Sequence, residues 1–236
     1  MNKFLVFFLF SLLIVKASFS QELSGQELLE KAIKYHDPNG NWQKFNDSLV
    51  VTMATPKKAN RVSKIRINLP KDYFYVKASR NKKTTEYTLD KEQCSILLNG
   101  KAPTNTEKKE YNINCERANL FKNYYTYLYG LPMKLKDEGT IIHETVQRKK
   151  FKGKEYLVLK VTYNENVGKD TWYFYFNTKT YAMEVYQFFK EAKDSGEYII
   201  LSGEEVISGI KMPKVRAWYY NKNDGYLGTD TLKKSM

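Results

Sequence analysis

The residues with the widest chemical range are few and scattered along this chain. Its only histidines are His36 and His143. A zinc site typically takes three or four Cys, His or acidic ligands, and two histidines leave little to build one with if the cysteines are paired. His36 falls at the C-terminal end of a predicted helix, where a cation suits the macrodipole, and His143 falls within a predicted strand. Both read as structural. Glu204-Glu205 is a carboxylate pair, but neighbours on a strand point to opposite faces and would not share a substrate. Asp37-x-Asn39-x-Asn41 imitates the opening of a calcium loop. It departs from one at the sixth position, where Trp42 stands for the required Gly, and at the twelfth, where Ser48 stands for Glu. There is no G-x-S-x-G elbow, no P-loop and no G-x-G-x-x-G turn. Asn46-Asp47-Ser48 fits a glycosylation acceptor and nothing more specific. These absences point away from an enzyme and away from a metal or cofactor.

The first residues carry a clearer message. Met1-Asn2-Lys3 is followed by an almost wholly apolar run, Phe4 to Val15, and then by Lys16-Ala17-Ser18-Phe19-Ser20-Gln21. This is the layout of a cleaved export signal, with small residues Ser18 and Ser20 at −3 and −1. A membrane span needs roughly 20 apolar residues, and Lys16 interrupts this run too early. The expected division is residues 1–20 as signal peptide and 21–236 as one domain. No Cys follows the cut, because the first is Cys94, so the mature chain is expected to be soluble, periplasmic or secreted, and not lipid-anchored. In an exported chain the even pair Cys94 and Cys115 suggests a disulfide. Closing a loop of about 20 residues would stabilise the fold by roughly 3 kcal/mol. The pair lacks C-x-x-C spacing, which argues against redox work.

The signal segment holds Lys3 and Lys16 and no acid, so its removal takes the formal net charge from +13 to +11. A basic balance suits an anionic partner or simply a solvated surface. Lys57-Lys58, Lys82-Lys83, Lys108-Lys109 and Lys149-Lys150 fall mostly in loop-like stretches, with no nucleic-acid motif beside them. Nucleic acid is therefore not an expected partner.

The elements that must position any site follow from the pattern. Ser24-Gly25-Gln26-Glu27 is a capping box, and Leu28, Leu29, Ala32 and Ile33 mark one helical face up to the breaker Asp37-Pro38-Asn39-Gly40. Short β-rich runs follow over 48–54, 62–69, 73–78, 86–89 and 94–98, as in an antiparallel meander. Residues 101–113 read as a polar loop. Asn114 can cap a second helix over 115–129, whose apolar and aromatic residues cover more than one stripe, with Gly130 as its C′ residue. Strand signals resume over 141–151, 155–163, 171–176, 182–189, 197–201, 204–207 and 214–220, with Asn223-Asp224-Gly225 as a last turn. The expected fold is mainly β with two helices, an α+β arrangement of about ten to twelve strands in a curved antiparallel sheet or half-barrel closed by helices.

Several late strands are apolar on both faces. Trp172, Phe174 and Phe176 point one way, Tyr173 and Tyr175 the other, and Val215, Ala217 and Tyr219 oppose Trp218 and Tyr220. A one-sided sheet would alternate apolar with polar. Two apolar faces imply a sheet covered on both sides or curled around a lumen, or else an ordinary core with β-forming residues on the outer face. With 19 Tyr and 13 Phe, such a lumen would be aromatic. Phe121, Tyr125, Trp172, Phe174 and Trp218 are the expected lining.

Three segments, Tyr35-His36-Asp37-Pro38-Asn39-Gly40-Asn41-Trp42, Tyr124-Tyr125-Thr126-Tyr127-Leu128-Tyr129-Gly130-Leu131-Pro132 and Asp170-Thr171-Trp172-Tyr173-Phe174-Tyr175-Phe176, together resemble an uncharacterised family of exported bacterial proteins, a domain of unknown function. More distantly, the order of elements is similar to the lipoprotein-carrier, LolA/LolB-like fold. That resemblance implies a curved sheet closed by helices around an apolar cavity that holds acyl chains. The resulting expectation is an exported, non-enzymatic carrier or sensor for an apolar or lipid-like ligand. The alternatives are an envelope protein that binds anionic glycans or lipids through a basic surface, and a hydrolase on the same sheet. N-terminal sequencing of the form recovered outside the cytoplasm is expected to read from Gln21; a chain still beginning at Met1 overturns the export argument.

Overall fold

The computed structural model describes residues 23–190 and 194–235, so the export segment lies outside the described residues. The capping box forms as read: Ser24 Oγ accepts from the Glu27 N–H and the Glu27 carboxylate accepts from the Ser24 N–H. Helix α1 (Gly25–His36) buries Leu28, Leu29 and Ala32. Immediately after it, Asp37 is buried and its two carboxylate oxygens accept from the N–H groups of Asn41 and Trp42, each at 2.8 Å. The Asp37-to-Trp42 motif is thus a hydrogen-bonded turn that drives the Trp42 ring into the core, and its resemblance to a calcium loop has a structural cause.

Thirteen strands then form one antiparallel sheet. Strands β1 (Asn46–Thr55), β2 (Lys58–Asn68), β3 (Tyr73–Arg80), β4 (Lys83–Asp90) and β5 (Gln93–Leu98) make the first meander. Helices α2 (Asn105–Glu110) and α3 (Cys115–Gly130) follow it. The second meander is β6 (Thr140–Ile142), β7 (Gln147–Phe151), β8 (Lys154–Tyr163), β9 (Thr171–Asn177), β10 (Met183–Phe189), β11 (Glu197–Ile207), β12 (Ile210–Tyr220) and β13 (Tyr226–Lys234). Strand β13 returns to pair with β1, with Val51 opposite Leu232, and so welds the two meanders into one curved sheet. The sheet does not close: β5 is one edge, and β6 with β7 is the other.

The departures from the sequence reading have local causes. The 101–113 stretch contains α2 because Thr104 and Glu107 form a second capping box; the run of charges there hides it. The 141–151 segment breaks into two strands along one side of β8. The N-terminus of α1 docks in the gap, where Ser24 bridges Thr145 and Gly25 N–H donates to Glu144 O at 2.7 Å. A Cβ on Gly25 would run into His143 O, so only glycine lets the helix end approach this closely. The 197–207 segment is one strand rather than two.

The helices cover one face of the sheet, and the other carries a small buried cluster of its own side chains, which accounts for the two-faced strands. Phe174, Phe176 and Tyr186 enter the main core with α1 and α3. On the outer face Tyr156, Val158, Tyr175 and Val185 make a smaller cluster flanked by Phe151 and Tyr173. Tyr198, Tyr219 and Tyr226 extend a line of ring contacts beside it.

Helix α3 crosses the concave side of the sheet nearly from edge to edge. The Cys94–Cys115 disulfide, with Cα atoms 6.0 Å apart, ties its first residue to β5. Phe121 meets Tyr87 of β4, and Tyr125 donates to Ser63 Oγ of β2 at 2.9 Å. Tyr124 reaches β13, and Tyr127 reaches Trp172 of β9. Gly130 is the last helical residue, not the residue after the helix, and its backbone does not need glycine for its torsion angles. Its reason is space: a Cβ there would sit 2.6 Å from Trp42 Cε2 and from Lys134 Cγ. Helix propensity alone would make Gly130→Ala stabilising by about 1 kcal/mol, whereas overpacking costs roughly 1–3 kcal/mol. Urea denaturation is expected to show Gly130→Ala less stable than wild type, with part of the loss recovered by adding Trp42→Phe; a gain in stability overturns this account.

Candidate functional site

The C-terminal half of α3 is fastened to the sheet by a buried cation. Arg216 on β12 is 1 % exposed. It donates from Nη1 to Pro213 O at 2.8 Å and from Nη2 to Leu128 O at 3.0 Å, and its guanidinium lies 4.0 Å from the centre of the Tyr129 ring. Directly across the ladder on β13 stands Asp230, also 1 % exposed. Burial pushes the Asp230 carboxyl above its usual range, against the opposing pull of Arg216. Its Oδ2 accepts from Tyr124 OH at 3.1 Å. Its Oδ1 closes no well-formed hydrogen bond, although the Trp218 indole stands on the same carboxyl.

Tyr124 is thereby held in a fixed place, and it forms a wall of three cavities along α3. The largest, about 470 Å³, runs between α3, the 134–140 segment and the β8–β9 connection. Tyr124, Tyr127, Tyr163, Trp172 and Val167 wall it, and its lining is mostly apolar. The hydroxyls of Tyr127 and Tyr163 hydrogen-bond to each other. Burial raises both phenols, Tyr163 to about 12, so both stay protonated at neutral pH. Trp172 is fixed by Phe188, with ring centres 4.8 Å apart, and by Tyr127 at 5.7 Å. Asp137, Glu138 and Asp170 line the same cleft, with Lys134 paired to Asp137. Beyond Tyr124 lie a chamber of about 200 Å³ with Trp218, Glu197 and Asp230, and a pocket of about 220 Å³ with Met53, Leu120 and Phe121.

The five expected lining residues do not share one cavity. Trp172 lines the large cleft, Trp218 the chamber and Phe121 the smaller pocket. Tyr125 and Phe174 are fully buried in the main core behind them. Arg216 and Asp230 escape the sequence reading. Arg216 is signalled only by a charge on the same strand face as Trp218, and Asp230 lies on a last strand whose apolar pattern is weak.

The histidines resolve into structure. His36 is 2 % exposed. Its Nδ1 lies 2.6 Å from Lys211 O and its Nε2 accepts from the Met183 N–H at 2.9 Å. This fixes the neutral Nδ1–H tautomer, which corrects the reading of His36 as a helix-end cation. Burial lowers its pKa. His143 Nε2 lies 3.1 Å from Thr162 Oγ1, and no nucleophile–base–acid relay is formed at it among the described residues. Among those residues no cluster of three or more His, Cys, Asp or Glu could hold a metal ion. No helix there is long and apolar enough to cross a membrane.

A family model described as a family of unknown function, DUF6503, matches residues 2–234, and the chain belongs to that family. No functionally curated protein matches it. Among solved structures it is similar to a LolA superfamily protein from Nitrosomonas europaea, at 10 % identity and a TM-score of 0.49, over 89 % of this chain and 92 % of that one. A DUF1329 family protein from Desulfovibrio piger follows at 10 % identity and a TM-score of 0.46, covering 88 % and 90 % of the two chains. An outer membrane lipoprotein-sorting protein domain from Vibrio parahaemolyticus is similar at 9 % identity and a TM-score of 0.45, covering 90 % and 92 %.

The state of His36 has a pH signature. Its folded pKa lies below the unfolded value of about 6.5. As pH falls below that value, the unfolded chain takes up a proton that the folded chain resists, and stability falls by at most about 1.4 kcal/mol per pH unit from this one group. His36→Gln keeps a donor and an acceptor but cannot titrate. Denaturation at pH 7 and pH 5 is expected to show a smaller loss on acidification in the variant than in wild type; equal losses exclude His36 as the cause.

Proposed function

We propose that this chain is an exported, non-enzymatic carrier or sensor that holds an apolar or lipid-like ligand between α3 and the concave face of the sheet. The observation that supports this reading is the cleft of about 470 Å³ walled by Tyr124, Tyr127, Tyr163 and Trp172. Its volume falls in the range of small-molecule sites, about 300–1,000 Å³, and such sites are mostly apolar with a few polar groups that fix orientation. Here the phenol hydroxyls and the acids of the cleft supply the polar groups. Export through cleavage after Ser20, into the periplasm or beyond and without a lipid anchor, belongs to the same proposal. It suits a role in which an insoluble molecule is kept out of water outside the cytoplasm.

The test needs a variant that blocks the cleft without touching the core. Phe174 is unsuitable, because it is fully buried in the main core and a charge there would go unpaired. Asn123 lies on the exposed side of α3 and lines the cleft, so Asn123→Trp fills the space with little cost to folding. A fluorescent fatty-acid probe is expected to bind the mature protein, and Asn123→Trp is expected to weaken that binding at least tenfold with an unchanged thermal midpoint. Native mass spectrometry of protein purified from cells identifies what it carries. A wild-type protein that binds no such probe and co-purifies with no small molecule overturns the carrier reading.

A further inference from the structure

The cavities along α3 are sorted by charge. On the side of β8 to β13, the large cleft is lined by Asp137, Glu138 and Asp170 with one lysine, and the chamber by Glu197 and Asp230 with no base. On the side of β2 to β4 the sign reverses. There a pocket of about 270 Å³, between the first half of α3 and the strand ends at the same open end of the sheet, is lined by Arg61, Arg80, Lys83 and Arg117 and by no acid. None of these four is in an ion pair among the described residues. Nε of Arg61 and Nε of Arg80 are buried donors without a hydrogen-bond partner. Among the described residues only Arg61 of the four has a side-chain acceptor, a long 3.3 Å contact to Tyr125 OH. The other contacts of the cluster are with ring faces: Arg61 and Arg117 over Phe121, and Lys83 over Tyr111.

Four like charges around one cavity repel each other, and buried guanidinium donors left unpaired cost free energy. Both costs are relieved by the same thing, an anion whose oxygens accept from the guanidinium forks. Guanidinium geometry matches phosphate and carboxylate. The pocket also borders apolar space. Arg61, Arg117 and Phe121 line both it and the pocket of about 220 Å³ that contains Met53 and Leu120, and the Tyr124 ring stands between that pocket and the large cleft. We propose that the pocket of Arg61, Arg80, Lys83 and Arg117 binds the anionic headgroup, a phosphate or carboxylate, of the lipid-like ligand, whose chain runs along α3 past Phe121 toward Tyr124. This assignment rests on the carrier reading for the chain, while the anion site itself stands on the charge arrangement. The acids beyond Tyr124 repel the same headgroup and so fix the direction in which the ligand lies.

The test compares probes that share a chain and differ in the head. Calorimetry of the mature protein with dodecyl phosphate, dodecanol and dodecylamine is expected to give at least tenfold tighter binding for the phosphate, with the advantage shrinking as salt rises. Arg61 is left intact, because its charge also acts on buried Asp230. The double variant Arg80→Gln, Lys83→Gln removes two cations that line the basic pocket and not the apolar pocket beside it. It is expected to cost dodecyl phosphate at least tenfold and to leave dodecanol unchanged. Lys83→Gln alone, on an exposed residue, is the second variant should the double variant misfold, with a smaller loss in the same direction. Equal affinities for the three probes, or equal losses for all three in the variants, overturn the headgroup site while the carrier reading survives. Inorganic phosphate that binds as tightly as dodecyl phosphate, with no binding of dodecanol, retains an anion site and overturns the chain and carrier readings together.

Discussion

The guanidinium of Arg216 is the point on which the arrangement of α3 depends. An open sheet of thirteen strands has a concave face that one helix cannot cover by apolar contact alone, and α3 touches it through a line of tyrosines. Arg216 bonds to Leu128 O in the last turn of that helix and packs on the Tyr129 ring. This fixes the distance between helix and sheet, and with it the depth of every cavity between them. Burying a cation costs several kcal/mol unless it is paired and hydrogen-bonded. Here two backbone carbonyls take its terminal nitrogens and Asp230 supplies the balancing charge across the ladder. Removing either charge would leave the other uncompensated, so both belong to the framework of the site.

The disulfide and the glycine at the two ends of α3 act on the same degree of freedom. Cys115 holds the first turn against edge strand β5, and Gly130 lets the last turn sit against Trp42. Trp42 is in turn placed by the carboxylate of Asp37. The helix is therefore fixed at both termini and along its buried stripe. Its remaining flank, with Asn123 and Leu120 at the surface and Tyr124 and Tyr127 half-buried, is free to form cavity wall.

Much of this was legible in the residues. The capping box at Ser24, the breaker after His36, the aromatic helix and the two-faced strands are local signals, and each produced the element expected of it. What was not legible depends on pairs far apart in the chain. Arg216 meets α3 only because β12 lies beneath it, and Asp230 becomes buried only because β13 crosses back to β1. Phe174 and Tyr125 were expected in a lumen. In the structure they are packed solid behind it, since an apolar pattern marks burial without distinguishing core from cavity wall. The basic pocket gathers Arg61, Arg80, Lys83 and Arg117 from three strands and a helix, so no run of charge in the sequence announces it. Conversely, the Lys-Lys pairs that do stand out contribute only Lys83 to it.

A buried hydroxyl without a partner is costly, and Tyr129 and Tyr186 each carry one beside Arg216. Tyr124 is different, because its hydroxyl bonds Asp230 and its ring separates the large cleft from the chamber and the smaller pocket. A ligand that swings Tyr124 aside must break a hydrogen bond to a carboxyl group, which is worth about 1.5–3 kcal/mol when the carboxyl is charged. Each methylene transferred from water returns about 0.8 kcal/mol. Two to four extra methylenes are therefore enough to offset the loss, by this order-of-magnitude comparison. On the proposed carrier reading, a short-chain molecule would leave Tyr124 in place and occupy one cavity, whereas a longer chain would join them. On the same reading, the Tyr124–Asp230 bond thus sets the extra length at which a chain would join the cavities.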